Sequence, residues 1–167
     1  MSGPKTLVVV GYGMVGHRLV EALRTRDTAG KWRVVVLAEE SRPAYDRVAL
    51  SSYFDGVAEA ELRLPVVEDR LVELRLGDPA VALDRDAHTV RTAGGHTVGY
   101  DALVLATGSV PFVPPVRGRD LPGCFVYRTL DDLDAIRSAA AAAMDRDRPG
   151  RRSGVVVGGG LLGLEAA

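Results

Sequence analysis

The sequence predicts an α/β fold, a parallel sheet flanked by helices with a small antiparallel meander beside it. Three observations point there. Short uncharged apolar runs at residues 6–10, 34–38 and 102–106 have the pattern of parallel strands buried on both faces. An amphipathic segment separates the first two. Alternating segments between residues 80 and 98, broken by a glycine pair, carry the signal of antiparallel strands instead.

Taken in order, Thr6 to Val10 is the first strand and runs into glycine. Val15, Leu19, Ala22 and Leu23 recur at i, i+4, i+7 and i+8, which places an apolar stripe on a helix from about Met14 to Thr25. Residues 26–31, with Asp27 and Gly30, read as a loop, and Val34 to Ala38 as a second buried strand closed by Glu39 and Glu40. Strand, helix and strand make one βαβ unit, which crosses over with a right-handed sense. From Ser41 to Glu61 the pattern breaks into Pro, Tyr, Arg and Ser, predicting a loop that covers a ligand. Val72 to Leu76 is the third parallel strand. Ala80 to Leu83, Thr89 to Thr92 and His96 to Val98 form the meander, with Ala93-Gly94-Gly95 as its hairpin turn. Ala102 to Ala106 returns to the buried type. Pro111, Pro114, Pro115 and Pro122 then make an extended connector. Asp131 to Met144 is a helix with Thr129 as its N-cap and acidic residues in its first turn. Residues 145–152 are a charged linker, after which Gly154 to Val157 starts a further strand.

Composition narrows the function. Lys+Arg number 21 and Asp+Glu 22, so no basic excess exists to neutralise phosphates, and neither nucleic acid nor an acidic membrane is an expected partner. No apolar run approaches the ~18 residues of a membrane span. The start, Met1-Ser2-Gly3-Pro4-Lys5, is too short a lead for a signal peptide, so a cytoplasmic location is expected. The single cysteine, Cys124, excludes an internal disulfide, an all-cysteine metal cage and a Cys-x-x-Cys redox pair; it reads as a structural, half-buried thiol. His17, His88 and His96 have no metal-ligand spacing with a carboxylate or thiolate, so no metal site is expected.

Gly11-Tyr12-Gly13-Met14-Val15-Gly16 is a G-x-G-x-x-G set between a buried strand and an amphipathic helix. The first glycine permits the tight turn, the second lets a pyrophosphate approach the backbone, and the third lets helix pack on strand. The helix N-terminus, opening at Met14, offers unpaired N–H groups to the phosphates. Glu39, 23 residues after Gly16, stands where a carboxylate accepts hydrogen bonds from adenosine ribose hydroxyls, and its neighbour Glu40 is the rival for that role. The signature recurs at Gly158-Gly159-Gly160-Leu161-Leu162-Gly163, which implies a second nucleotide site.

With Leu103-Val104-Leu105-Ala106-Thr107-Gly108-Ser109 between the two fingerprints, the chain resembles the two-dinucleotide-fold flavoprotein reductases, the pyridine nucleotide-disulfide oxidoreductase superfamily. The resemblance implies a Rossmann-like FAD/NAD(P)-binding fold. Residues 39–54, 13–18 and 124–129 are similar to the branch of bacterial NAD(P)H-dependent nitrite reductases. By that likeness Gly11, Gly13, Met14 and Gly16 hold the FAD pyrophosphate, Glu39 its ribose, and Arg47 lies over the cofactor. Val81 offers backbone to the adenine, and Ala106, Thr107 and Gly108 line the flavin side. Gly158, Gly160 and Gly163 belong to an incomplete NAD(P)H site. The loop after the ribose acid carries no redox cysteine, so thiol chemistry is not expected, and Ser52 stands where ferredoxin and rubredoxin reductases often have lysine, which favours the nitrite-reductase branch.

The resemblance implies an electron-transfer enzyme in which NAD(P)H reduces FAD and the electrons continue to a downstream acceptor domain or protein. Cofactors perform the difficult step, so no catalytic side chain is nominated. The family's iron–sulfur and sirohaem centres need several thiolates, and one cysteine cannot hold them, so they are expected only if the protein continues. The expected organisation is an FAD-binding domain over residues 1–129 lacking its closing strand, a connecting helix and linker over 130–152, and the first strand and glycine turn of an NAD(P)-binding domain over 153–167. This predicts an N-terminal fragment. Three alternatives stay open: a ferredoxin or rubredoxin reductase fragment, a non-catalytic nucleotide-binding remnant, and a simple dehydrogenase whose first fingerprint binds NAD.

Overall fold

The structure, a computed structural model, describes residues 3–145, 153–160 and 163–164. Along the chain come β1 (Lys5–Val10), α1 (Met14–Arg26), β2 (Trp32–Leu37), α2 (Leu50–Phe54), α3 (Glu59–Leu62), β3 (Val72–Arg75), β4 (Ala80–Asp84), β5 (Thr89–Thr92), β6 (Thr97–Gly99), β7 (Ala102–Leu105) and α4 (Leu130–Asp145). They divide into two units, Met1–Asp46 with Arg63–Ser109 and Arg47–Leu62 with Val110–Ala167.

In the first unit a parallel sheet runs in the order β3-β2-β1-β7, and β4, β5 and β6 form a separate antiparallel sheet. Side chains alternate across a strand, so one run can supply two cores. Leu7, Val9, Val34 and Val36 pack with Val20 of α1, whereas Val8, Val35 and Leu37 pack with Val90 of β5 and Val98 of β6. The sheet is therefore covered by a helix on one face and the meander on the other. That is why the central strands β1 and β2 lack polar alternation, each buried valine contributing ~1.5–3 kcal/mol; the edge strands differ, β3 alternating as Val72-Glu73-Leu74-Arg75 and β7 leaving Leu105 exposed, against the expectation of burial on both faces for residues 102–106.

The return from α1 to β2 is held by one carboxylate. Asp27 accepts the Lys31 and Trp32 backbone N–H groups, each at 2.9 Å, and pairs with Arg24 at 2.8 Å in a buried contact. The Lys31 N–H is the largest influence holding Asp27 below the ordinary carboxylate range, with Trp32 and Arg24 adding to it against burial.

In the second unit Leu50, Leu62, Leu130 and Leu133 are buried. The Tyr53 hydroxyl donates to Asp134 Oδ1 at 2.6 Å, and the Arg137 guanidinium lies 4.3 Å from the Tyr53 ring centroid. Thr129 caps α4 as expected: Asp132 N–H donates to Thr129 Oγ1 at 3.2 Å while Thr129 N–H donates to Asp132 Oδ2 at 2.8 Å, a reciprocal capping box.

Four expectations need correction. The face of α1 that is buried carries Gly16, His17 and Val20, with Leu19 and Leu23 partly buried beside them, while Val15 is exposed; the helix is rotated so that Gly16 meets the preceding turn. Residues 41–61 are not all loop, since α2 and α3 form there and each buries one leucine. Residues 153–157 form no strand: Val155 and Val157 are exposed, and among the described residues no neighbouring strand supplies a ladder. Cys124 is exposed rather than half-buried, in a turn where its N–H donates to Leu121 and its thiol contacts the Gly118 carbonyl at 3.4 Å. The linker residues 146–152 and residues 161–162 and 165–167 lie outside the described residues. No helix among the described residues is long and apolar enough to cross a membrane.

Candidate functional site

The sheet order creates one special position. From β1 the chain moves outward through β2 to β3, then returns to place β7 on the other side of β1. In open parallel sheets ligands bind beyond the carboxyl ends of the strands where the order reverses in this way. Here that point is the β1–β7 boundary, and the first glycine fingerprint stands on it.

Gly11 has a φ of 101° and donates its N–H to the Leu37 carbonyl at 2.8 Å. A Cβ on Gly11 would lie 2.3 Å from the Ala106 carbonyl oxygen, and one on Gly16 would lie 2.2 Å from the Gly11 carbonyl oxygen. Ala106 N–H in turn donates to the Val10 carbonyl at 2.8 Å. Turn, helix and β7 end are thus packed at a spacing that only glycine permits. Gly13 is the N-cap of α1, without a side-chain cap, and no acid stands in the first turn. Met14 is exposed there. An uncapped, solvent-accessible helix start beside a tight glycine turn fits a pyrophosphate, whose charge complements the orphan N–H groups. Thr107 and Gly108 continue past Ala106 as exposed residues, Gly108 with a φ of 71°.

The two acids follow β2. Ala38 N–H donates to the Arg75 carbonyl at 2.9 Å, the Ala38 carbonyl accepts Asp78 N–H at 3.0 Å, and the Glu40 carbonyl accepts Gly77 N–H at 3.0 Å. Glu39 lies between these anchored residues and is exposed, whereas Glu40 is half-buried and accepts the Tyr45 hydroxyl at 2.8 Å. Asp78 also accepts the Gly94 N–H at 2.8 Å and contacts His96 Nδ1 at 3.1 Å; the Gly94 bond foremost keeps its carboxyl below the ordinary range. The meander is thereby tied to the end of β2. Val81 falls at an irregularity in the β4–β5 pairing, between the partnered residues Ala80 and Ala82, so its backbone stands outside that ladder.

Arg47 and the second fingerprint belong to the second unit. Arg47 is half-buried just before α2. Gly158, with a φ of 138°, Gly160 and Gly163 repeat the first turn: a Cβ on Gly163 would lie 2.1 Å from the Gly158 carbonyl oxygen, and Leu164 N–H donates to the Gly160 carbonyl at 3.1 Å, as His17 N–H does to Gly13 at 2.9 Å. Among the described residues no cluster of three or more His, Cys, Asp or Glu side chains is placed to hold a metal ion.

The sequence reading missed three residues around the first turn. His17, buried in the first turn of α1, contacts the Pro65 carbonyl through Nε2 at 2.6 Å. Tyr12 packs its ring 5.9 Å from that of His17, and burial raises its phenol above the usual value. Tyr45 holds Glu40. The available signal was Ala44-Tyr45, an apolar pair inside an otherwise polar stretch.

Comparison with known proteins agrees with this geometry. A sequence family described as "Pyridine nucleotide-disulphide oxidoreductase" matches residues 5–167. The chain is 52% identical over 164 residues to the nitrite reductase [NAD(P)H] large subunit of Klebsiella oxytoca, covering 96% of this chain and 16% of that protein. It is 44% identical to the nitrite reductase (NADH) large subunit of Escherichia coli K12, again covering 96% of this chain but 18% of that protein. The chain thus spans less than a fifth of the length of these two relatives. Its fold is shared with the NADH:rubredoxin oxidoreductase of Clostridium acetobutylicum, at a TM-score of 0.76, 20% identity, and coverage of 98% of this chain and 40% of that one.

Proposed function

Because the chain belongs to the pyridine nucleotide-disulphide oxidoreductase family, we propose that it is the flavin-binding portion of an NAD(P)H-dependent nitrite reductase, its glycine turn at β1 holding FAD. The observation that carries this reading is the contact between Gly11 and Ala106, which fuses the fingerprint turn to the end of β7 at the point where strand order reverses. Bound flavin supplies the coupling of a two-electron nicotinamide donor to a downstream acceptor.

The chain's own residues bind and orient. Gly11, Gly13, Met14 and Gly16 present backbone N–H groups and the α1 dipole to the pyrophosphate. Glu39 accepts the adenosine ribose hydroxyls. Val81 offers adenine the backbone groups that its ladder does not use, and Ala106 to Gly108 line the flavin side. Gly158, Gly160 and Gly163 form the pyrophosphate turn for NAD(P)H. Residues 1–129 make the FAD-binding domain, 130–152 a connection and 153–167 the opening of the nicotinamide domain. Iron–sulfur and sirohaem centres would be held elsewhere in a longer protein, since Cys124 is the one cysteine here.

The test is reconstitution of the purified chain with FAD, followed by removal of free flavin. Retained visible flavin absorbance with quenched fluorescence is expected. A colourless protein that binds NADH through its first turn would establish the simple dehydrogenase instead.

A further inference from the structure

We propose that Tyr45 is a positioning residue that assigns the two neighbouring acids different tasks: by engaging Glu40 it leaves Glu39 as the carboxylate that meets the adenosine ribose. This rests on the FAD reading above and deepens it. The sequence favours Glu39 for the ribose but leaves Glu40 as its rival, since both close the same strand. Their surroundings separate them. Tyr45 is 3% exposed, and a hydroxyl at that depth needs an acceptor. Its O–H donates to Glu40 Oε2 at 2.8 Å. A ribose hydroxyl approaching Glu40 would compete with that bond, whereas Glu39 is open to solvent.

Tyr45 can select because it is itself fixed. It forms an isolated antiparallel bridge with Arg63, and the adjacent Ala44 carbonyl accepts Leu64 N–H at 2.9 Å. Two residues beyond Arg63, the Pro65 carbonyl contacts His17 Nε2 of α1. The phenol is therefore held in register with the helix whose N-terminus faces the pyrophosphate. Side-chain placement at the ribose is set by the same segment that packs against the phosphate-binding helix.

Competition of ADP and 2′-deoxy-ADP against FAD, followed by flavin fluorescence on the full chain, tests this. One charge-assisted hydrogen bond corresponds to about tenfold in affinity, so wild type should prefer ADP by about that factor. Glu39→Ala should abolish the preference. Glu40→Gln, whose amide oxygen still accepts from Tyr45, should keep it. In Tyr45→Phe, which releases Glu40 to compete for the ribose, Glu39→Ala should no longer abolish the preference, whereas adding Glu40→Leu to that pair should abolish it again. A role confined to packing would weaken ADP and 2′-deoxy-ADP equally, so a preference lost in Tyr45→Phe/Glu39→Ala as fully as in Glu39→Ala alone overturns the inference. So does a preference that survives Glu39→Ala and disappears in Glu40→Gln. Wild-type protein that fails to bind FAD overturns the FAD reading itself, and the division of labour with it.

Discussion

A methyl group on Gly16 would stand 2.2 Å from the Gly11 carbonyl oxygen, a backbone atom that cannot swing aside. Gly16→Ala should therefore open the turn and displace α1, at a cost of ~1–3 kcal/mol from overpacking, and abolish FAD retention. Thermal melts with and without flavin measure both effects; an alanine variant that stays yellow would refute the role given to the turn. Gly163→Ala carries the same local clash against Gly158 but should leave FAD bound, because it lies in the second fingerprint. The glycines were legible in the sequence because each answers a steric demand that no other residue meets. Tyr45 and His17 were not, since their importance lies in contacts with Glu40 and with Pro65, 48 residues along the chain from His17, which no local pattern records.

Among the elements, α4 offers a direct measure of local signals. Thr129→Ala removes one half of the reciprocal cap with Asp132 and should lower stability by ~1 kcal/mol, read as a reduced urea midpoint with an unchanged slope. Carboxylates in the loops and on the edge strand β3 make stability respond to pH. Asp27, Glu73 and Asp78 are all held below their ordinary values, chiefly by the Lys31 N–H, the Arg75 guanidinium and the Gly94 N–H respectively. A carboxyl lowered in the folded state stabilises fully above its unfolded value of ~4 and loses that contribution as pH falls through the folded value. The urea midpoint should accordingly be level above about pH 5 and decline below pH 4, less steeply in Asp27→Asn. An equal decline in that variant would remove Asp27 from the account. β1, β2 and the meander were readable because burial on two faces and on one face leave different periods, whereas the edge strand β3 alternates despite being parallel. The short helices α2 and α3 span 5 and 4 residues, too few to show a period, and Val155 to Val157 have strand composition without a neighbour to pair with.

For the molecule as a whole, binding and stability are one quantity. FAD at a hundred times its dissociation constant should stabilise the unit that binds it by ~2.7 kcal/mol, visible as a raised melting temperature that Gly16→Ala eliminates. The candidate site was legible in parts: two separate stretches, at residues 11–16 and 106–108, each looked like ligand-facing backbone. That Gly11 closes directly on the Ala106 carbonyl was not, because it follows from β7 returning beside β1. This return has a consequence in time. During synthesis the glycine turn emerges early, but the carbonyl against which it closes belongs to Ala106, so the turn remains without its floor until nearly a hundred further residues have been made. Bringing such distant segments together costs chain entropy before any contact offsets it. On the FAD reading cofactor loading would be a late event in the birth of this chain, and chains truncated after residue 100 should capture no flavin while those extending through residue 129 should.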